Sequence, residues 1–155
     1  MAKYLVIANQ TALSEELTQG LIKRAEEDPD AEFVLVVPAT PVESLVTMEE
    51  GQARQIAARR AGRALTQLTD AGIPIVGALV GAPSPFEAIQ EAVHSAQYAG
   101  IIFCTFPPGA SRWLEPGLFE RVEKAVNLPV THLVAIHGHI MGSGRSPRPS
   151  YLSTN

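Results

Sequence analysis

Apolar and polar positions along this chain follow two alternating rhythms, and the alternation predicts the architecture. Residues 4–8 form a short apolar run of strand-forming side chains. Leu13, Leu17, Leu21 and Ala25 then recur every four residues, the spacing of one helix face, until Asp28-Pro29-Asp30 stops the pattern. Residues 33–37 are apolar without interruption and end at Pro38. After a polar, proline-containing loop, Ala53, Ile56, Ala57, Ala61, Ala64, Leu65 and Leu68 trace one face of a long helix, with Gly72 suited to the position just past its end. Residues 73–80 read as a third strand, 85–96 as a third helix, 101–105 as a fourth strand, 111–126 as a fourth helix and 130–136 as a fifth strand. Strands that are apolar throughout, each followed by a helix, predict an α/β fold. It is a single-domain five-stranded parallel sheet of order 3-2-1-4-5 with helices on both faces.

Length and composition narrow this picture. The 155 residues suit one domain, expected over residues 1–136, that buries about two-thirds of its unfolded surface. Residues 137–155 turn to Gly, Ser, Pro and Arg with no acidic residue, the composition of a flexible tail. A net charge of −4 argues against nucleic acid or an anionic membrane as partner. No apolar run approaches the ~20 residues that span a bilayer. The first residues run directly into a strand rather than a signal segment, and one cysteine rules out an intramolecular disulfide. The expected location is the cytoplasm.

In a sheet of this order, ligands bind outside the carboxyl ends of the strands where the strand order reverses. The segments predicted there are Asn9-Gln10-Thr11, Val37-Pro38 with Ala39 and Thr40, Gly81-Ala82-Pro83-Ser84, and the loop from Pro107 to Arg112. None carries a carboxylate pair or a nucleophile beside a base, so the reading is a binding module rather than an enzyme. In the last segment the fourth strand ends in Thr105-Phe106-Pro107-Pro108-Gly109 before a helix expected from Ser111. A strand-to-helix junction aims free N–H groups and the positive end of the helix dipole at one spot, which suits an anion. Pro107 and Pro108 remove two donors; Gly109, Ala110, Ser111 and Arg112 can still supply them, and Arg112 adds a charge with phosphate-matching geometry. The alternative is that Pro107-Pro108-Gly109 only turns the chain and Ser111 caps the helix.

Other chemistry-bearing residues have plainer readings. Cys104 closes an apolar strand and reads as a small buried hydrophobe rather than a reactive thiol. His132, His137 and His139 have no cysteine or carboxylate at ligand spacing, so no metal is expected. Trp113 reads as a packing residue before a base-stacking one. Arg54, Arg59, Arg60 and Arg63 read together as a solvated helix face, and His94 as a partner for a helix C-terminus.

Beyond these patterns, the order of elements over roughly residues 3–136 resembles the universal stress protein family. The segments that carry the resemblance are Val80-Gly81-Ala82-Pro83-Ser84-Pro85-Phe86-Glu87-Ala88-Ile89, Gly100-Ile101-Ile102-Phe103-Cys104, and Glu120-Arg121-Val122 through Leu128-Pro129-Val130. ATP-binding members carry a glycine motif between the fourth strand and the last helix, and an acidic residue after the first strand. Here Thr105 stands where the first glycine would be, Pro108-Gly109 near the second, and Leu118 rather than a hydroxyl residue follows Gly117. Asn9-Gln10 replaces the acidic residue. The resemblance implies a stress or signalling module with ATP, ADP or AMP as ligand, bound weakly or no longer bound. It also implies a homodimer through the fifth strand, Val130 to Ile136, with the tail reaching toward the partner. A nucleotide-binding module and an interaction module that has lost the nucleotide both fit these residues.

Overall fold

Among the described residues, nine elements alternate strictly: β1 (Lys3–Ile7), α1 (Glu15–Glu27), β2 (Glu32–Pro38), α2 (Glu50–Asp70), β3 (Ile75–Gly81), α3 (Pro85–Ser95), β4 (Gly100–Thr105), α4 (Leu118–Val126) and β5 (Val130–Val134). The computed structural model describes residues 2–40, 50–107 and 117–136. All strand pairs are parallel and the order is β3-β2-β1-β4-β5, as the sequence predicts. The register aligns Leu5 with Val34 and Ile101, Val6 with Leu35 and Ile102, and Ile7 with Val36 and Phe103. These central strands are apolar on both faces because both faces are covered.

Alternation along the strands sorts the side chains into two cores. On one face Val6, Leu35, Val37, Ile102 and Cys104 pack with Leu17 and Leu21 of α1 and with Ala57, Ala61, Ala64 and Leu68 of α2. On the other, Leu5, Ile7, Val34, Val36, Ile101 and Phe103 pack with Ala88, Ile89 and Ala92 of α3 and with Leu118 and Val122 of α4. Truncating a fully buried leucine such as Leu17 or Leu21 to alanine costs about 2–5 kcal/mol in sites of this kind.

Local chemistry defines the helix ends. Ser14 caps α1, its hydroxyl accepting from the Leu17 N–H at 3.1 Å. At the end of α2, Gly72 takes φ +85° while the N–H groups of Gly72 and Ile73 donate to the carbonyls of Thr69 and Leu68. This paired closure is the Schellman arrangement. It also explains why β3 starts at Ile75 rather than at Ile73: the Ile73 N–H is spent on the helix, and Pro74 has none. Ser84 caps α3, with Pro85 in its first turn.

Two further boundaries differ from the sequence reading. The fourth helix begins at Leu118, with Gly117 as its left-handed N-cap residue at φ +80°, not at Ser111. A residue in that conformation does not continue a helix, so Gly117 marks the start of α4, and the expected cap Ser111 lies outside the described residues. Strand β5 ends at Val134 instead of Ile136. The Ala135 N–H still donates to the Thr105 carbonyl, but the Ile136 N–H turns to the Glu16 carboxylate of α1 at 3.1 Å. The ladder stops where that side chain takes the donor.

Candidate functional site

The carboxyl ends of β1, β2 and β3 are tied together by a chain of hydrogen bonds. The Asn9 Nδ2 donates to the Pro38 carbonyl at 2.9 Å. The Ala39 N–H donates to the Gly81 carbonyl at 3.0 Å, and the Thr40 hydroxyl to the Pro83 carbonyl at 2.6 Å. On the β4 side, the Thr11 hydroxyl donates to the Cys104 carbonyl at 2.6 Å. The loop after β1 is itself compact, with the Ala12 and Ser14 N–H groups donating to the carbonyls of Asn9 and Thr11. These bonds link the carboxyl ends of β1, β2 and β3 to one another and the β1 loop to β4, beside the β1/β4 boundary where the strand order reverses.

Of the residues read from sequence as site candidates, the structure brings Asn9, Thr11, Pro38, Gly81 and Pro83 to this edge. Gln10 is exposed above it. Val37 turns its side chain into the α1/α2 core, fully buried, so only its backbone is near the edge. Gly81 is packed tightly: a Cβ there would lie 2.8 Å from the Ala88 Cβ and 2.9 Å from the Val36 Cγ1. Gly109, Ala110, Ser111 and Arg112 lie outside the described residues, as do Pro108, Trp113, His137 and His139.

Arg60 corrects the sequence reading. Arg54, Arg59 and Arg63 are exposed, but Arg60 is half-buried and its Nη1 donates to the Asn9 Oδ1. Burial lowers its pKa from the ordinary arginine value, and the neighbouring Arg63 lowers it further. The spacing carried the signal: Arg60 follows Ala57 by three residues and precedes Ala64 by four, so it flanks the buried stripe of α2. The Asn9 carboxamide thus meets a donor with its oxygen and an acceptor with its nitrogen. It is only 7% exposed, and both halves are satisfied.

Two other groups near the edge have defined states. Cys104 is fully buried, and desolvation raises its thiol pKa; the hydroxyls of Thr11 and Ser14 beside it oppose that shift and the Glu16 charge adds to it. Such a thiol is a packing group, not a nucleophile. His132 on β5 lies 2.8 Å from the Thr105 hydroxyl through Nε2 and 4.6 Å from the Phe119 ring centroid. The Thr105 hydroxyl also lies 2.7 Å from the Phe106 carbonyl, and with its proton donated there it accepts from an Nε2–H of His132. Burial lowers the His132 pKa. Among the described residues, no three His, Cys, Asp or Glu side chains gather as a metal site would require. No described helix is long and apolar enough to cross a membrane.

The chain matches no protein-family model and no curated protein. Its structure does match solved ones. A universal stress protein from Archaeoglobus fulgidus is 14% identical with a TM-score of 0.56, covering 86% of this chain and 93% of its own. A universal stress protein family protein from Arabidopsis thaliana, solved with AMP bound, is 10% identical with a TM-score of 0.58, covering 88% and 94%. A universal stress protein in complex with cAMP is 12% identical with a TM-score of 0.51, covering 87% and 98%. The fold of this chain is that of the universal stress proteins.

Proposed function

We propose that the protein is a non-catalytic stress or signalling module of the cytoplasm that binds an adenine nucleotide or related anion over the carboxyl edge of β1, β2 and β3. The observation that carries this reading is the tied edge itself. Asn9, Pro38, Ala39 and Gly81 are joined across β1, β2 and β3, beside the β1/β4 boundary at which the order reverses, and this architecture receives ligands at such a boundary. The bound AMP and cAMP of two fold neighbours support the ligand class. Gly109, Ala110, Ser111 and Arg112 belong to the proposed site as further anion contacts. The module acts by binding: the ligand changes what the folded protein presents to others, and no bond in it is broken.

Calorimetric titration with ATP, ADP and AMP tests the proposal. Binding of at least one nucleotide at protein concentrations of ~100 micromolar, where even millimolar affinity is detectable, is the expected result. No heat with any of the three would remove it.

A second reading is favoured by one feature of the sheet. Strand β5 stands at its end, carries no lysine or internal proline, and is followed by Ile136 at 68% exposure. Apolar edge strands of this kind invite pairing. In this reading the protein is a homodimer through β5 that works by interaction, with residues 137–155 reaching toward the partner subunit. Light scattering at micromolar concentration should give twice the chain mass; a monomer mass would exclude it.

A further inference from the structure

Among the described residues, no carboxylate pairs with Arg60. Its guanidinium is half-buried, yet the partner that holds it is the neutral Asn9 amide. The ion pair found among the described residues joins Arg24 to Glu27, away from this edge. The charged neighbour that acts on Arg60 is Arg63, a second cation. Of the five N–H groups of a guanidinium, one is used by Asn9. A cation that burial partly strips of water gains from an anionic partner. A purely structural tie to the Asn9 oxygen could be made by a neutral donor such as glutamine without that cost. The amide at position 9 fits the same reasoning. It can hold Arg60 with its oxygen and Pro38 with its nitrogen while adding no negative charge.

We propose that Arg60 is the anion anchor of this edge, positioned by Asn9, and that the group it takes is a phosphate monoester or free phosphate. Its planar fork matches two phosphate oxygens at once. Arg63, one turn along the exposed side of α2, adds to the positive field at the mouth of the site. Asn9 is a positioning residue, its amide aiming the guanidinium along the end of β1. The part of this assignment that concerns nucleotides rests on the function proposed above; the anchor for phosphate does not.

Titrating the full chain with AMP, adenosine and inorganic phosphate separates the two. The wild type should bind AMP more tightly than adenosine, and the difference should shrink with added salt. Arg60→Gln should weaken AMP roughly ten- to a hundred-fold, the loss of one charge-assisted contact, and leave adenosine unchanged. Asn9→Asp keeps Arg60 but pairs it with a carboxylate, and should weaken AMP in the same direction; Arg60→Lys, with charge but no fork, should fall between. Equal wild-type affinities for AMP and adenosine overturn the anchor without any variant. So does AMP binding that neither Arg60→Gln nor Asn9→Asp weakens, and both results leave the nucleotide reading standing. Phosphate binding abolished by Arg60→Gln, with no response to AMP or adenosine, keeps the anchor and removes the nucleotide. No response to any of the three removes both.

Discussion

Replacing Gly81 with alanine isolates the packing that holds the candidate site together. The new Cβ would meet the Ala88 Cβ at 2.8 Å and the Val36 Cγ1 at 2.9 Å. Both neighbours are 2% exposed, one on α3 and one on the second strand of the sheet, and neither ends a flexible side chain. Alanine has no rotamer to change, and valine is stiff about χ1. Relief must therefore come from moving the start of α3 away from the sheet, an overpacking cost of about 1–3 kcal/mol. Gly81 is not among the left-handed glycines, so its backbone accepts alanine, and the unfolded chain loses entropy worth about 0.4–1 kcal/mol in favour of folding. The balance is a destabilisation of about 1–2 kcal/mol, or roughly 2–8 °C in Tm for a domain of this size. Gly62→Ala on the exposed side of α2 is the control. Nothing lies within 4 Å of its Cβ, and it should stabilise by about 0.5–1 kcal/mol. Urea and thermal unfolding followed by circular dichroism read both. Gly81→Ala as stable as the wild type, or shifted in the same direction as Gly62→Ala, would refute the packing argument.

Two further outcomes follow from a buried thiol and a part-buried imidazole. Cys104, fully buried with its thiol pKa raised chiefly by desolvation, should resist thiol reagents in the native protein and react only as fast as the chain opens; rapid labelling under native conditions would contradict this. His132 has a folded pKa below its ordinary 6.5, so the unfolded state binds its proton first. Its contribution to stability is complete above pH ~6.5 and is lost as the pH falls through that value toward the lower folded pKa. His132→Gln should flatten that part of the stability–pH curve, and an unchanged slope would show that other groups set it.

Much of this architecture is legible in the amino-acid pattern because the central strands have no choice of face. Residues such as Leu5, Val6 and Ile7 are all apolar since helices cover both sides, and such runs announce a parallel sheet. Gly72 and Ser84-Pro85 announce helix ends through their own backbone chemistry. The misread boundaries depend on partners distant in sequence. Strand β5 stops because Glu16, far away in the chain, takes the Ile136 N–H. The late start of α4 follows from the conformation of Gly117, which an apolar pattern continuing through it does not reveal. Arg60 was hidden among three exposed arginines, and only its offset from the alanine stripe separates it from them. The edge itself was half legible. Position in the topology pointed to Asn9, Thr11, Pro38 and Gly81, whereas the bond from Asn9 to a helix 51 residues later needed the fold.

Amide chemical-shift mapping during an AMP titration shows whether the carboxyl edge of the sheet is a ligand site. The predicted result is a saturable set of shifts concentrated at Asn9, Gln10 and Thr11, at Val37 and Ala39, at Gly81 and Ser84, and at the Arg60 side chain. Shifts confined to β5 and the residues after it, or no shifts at all, would contradict it.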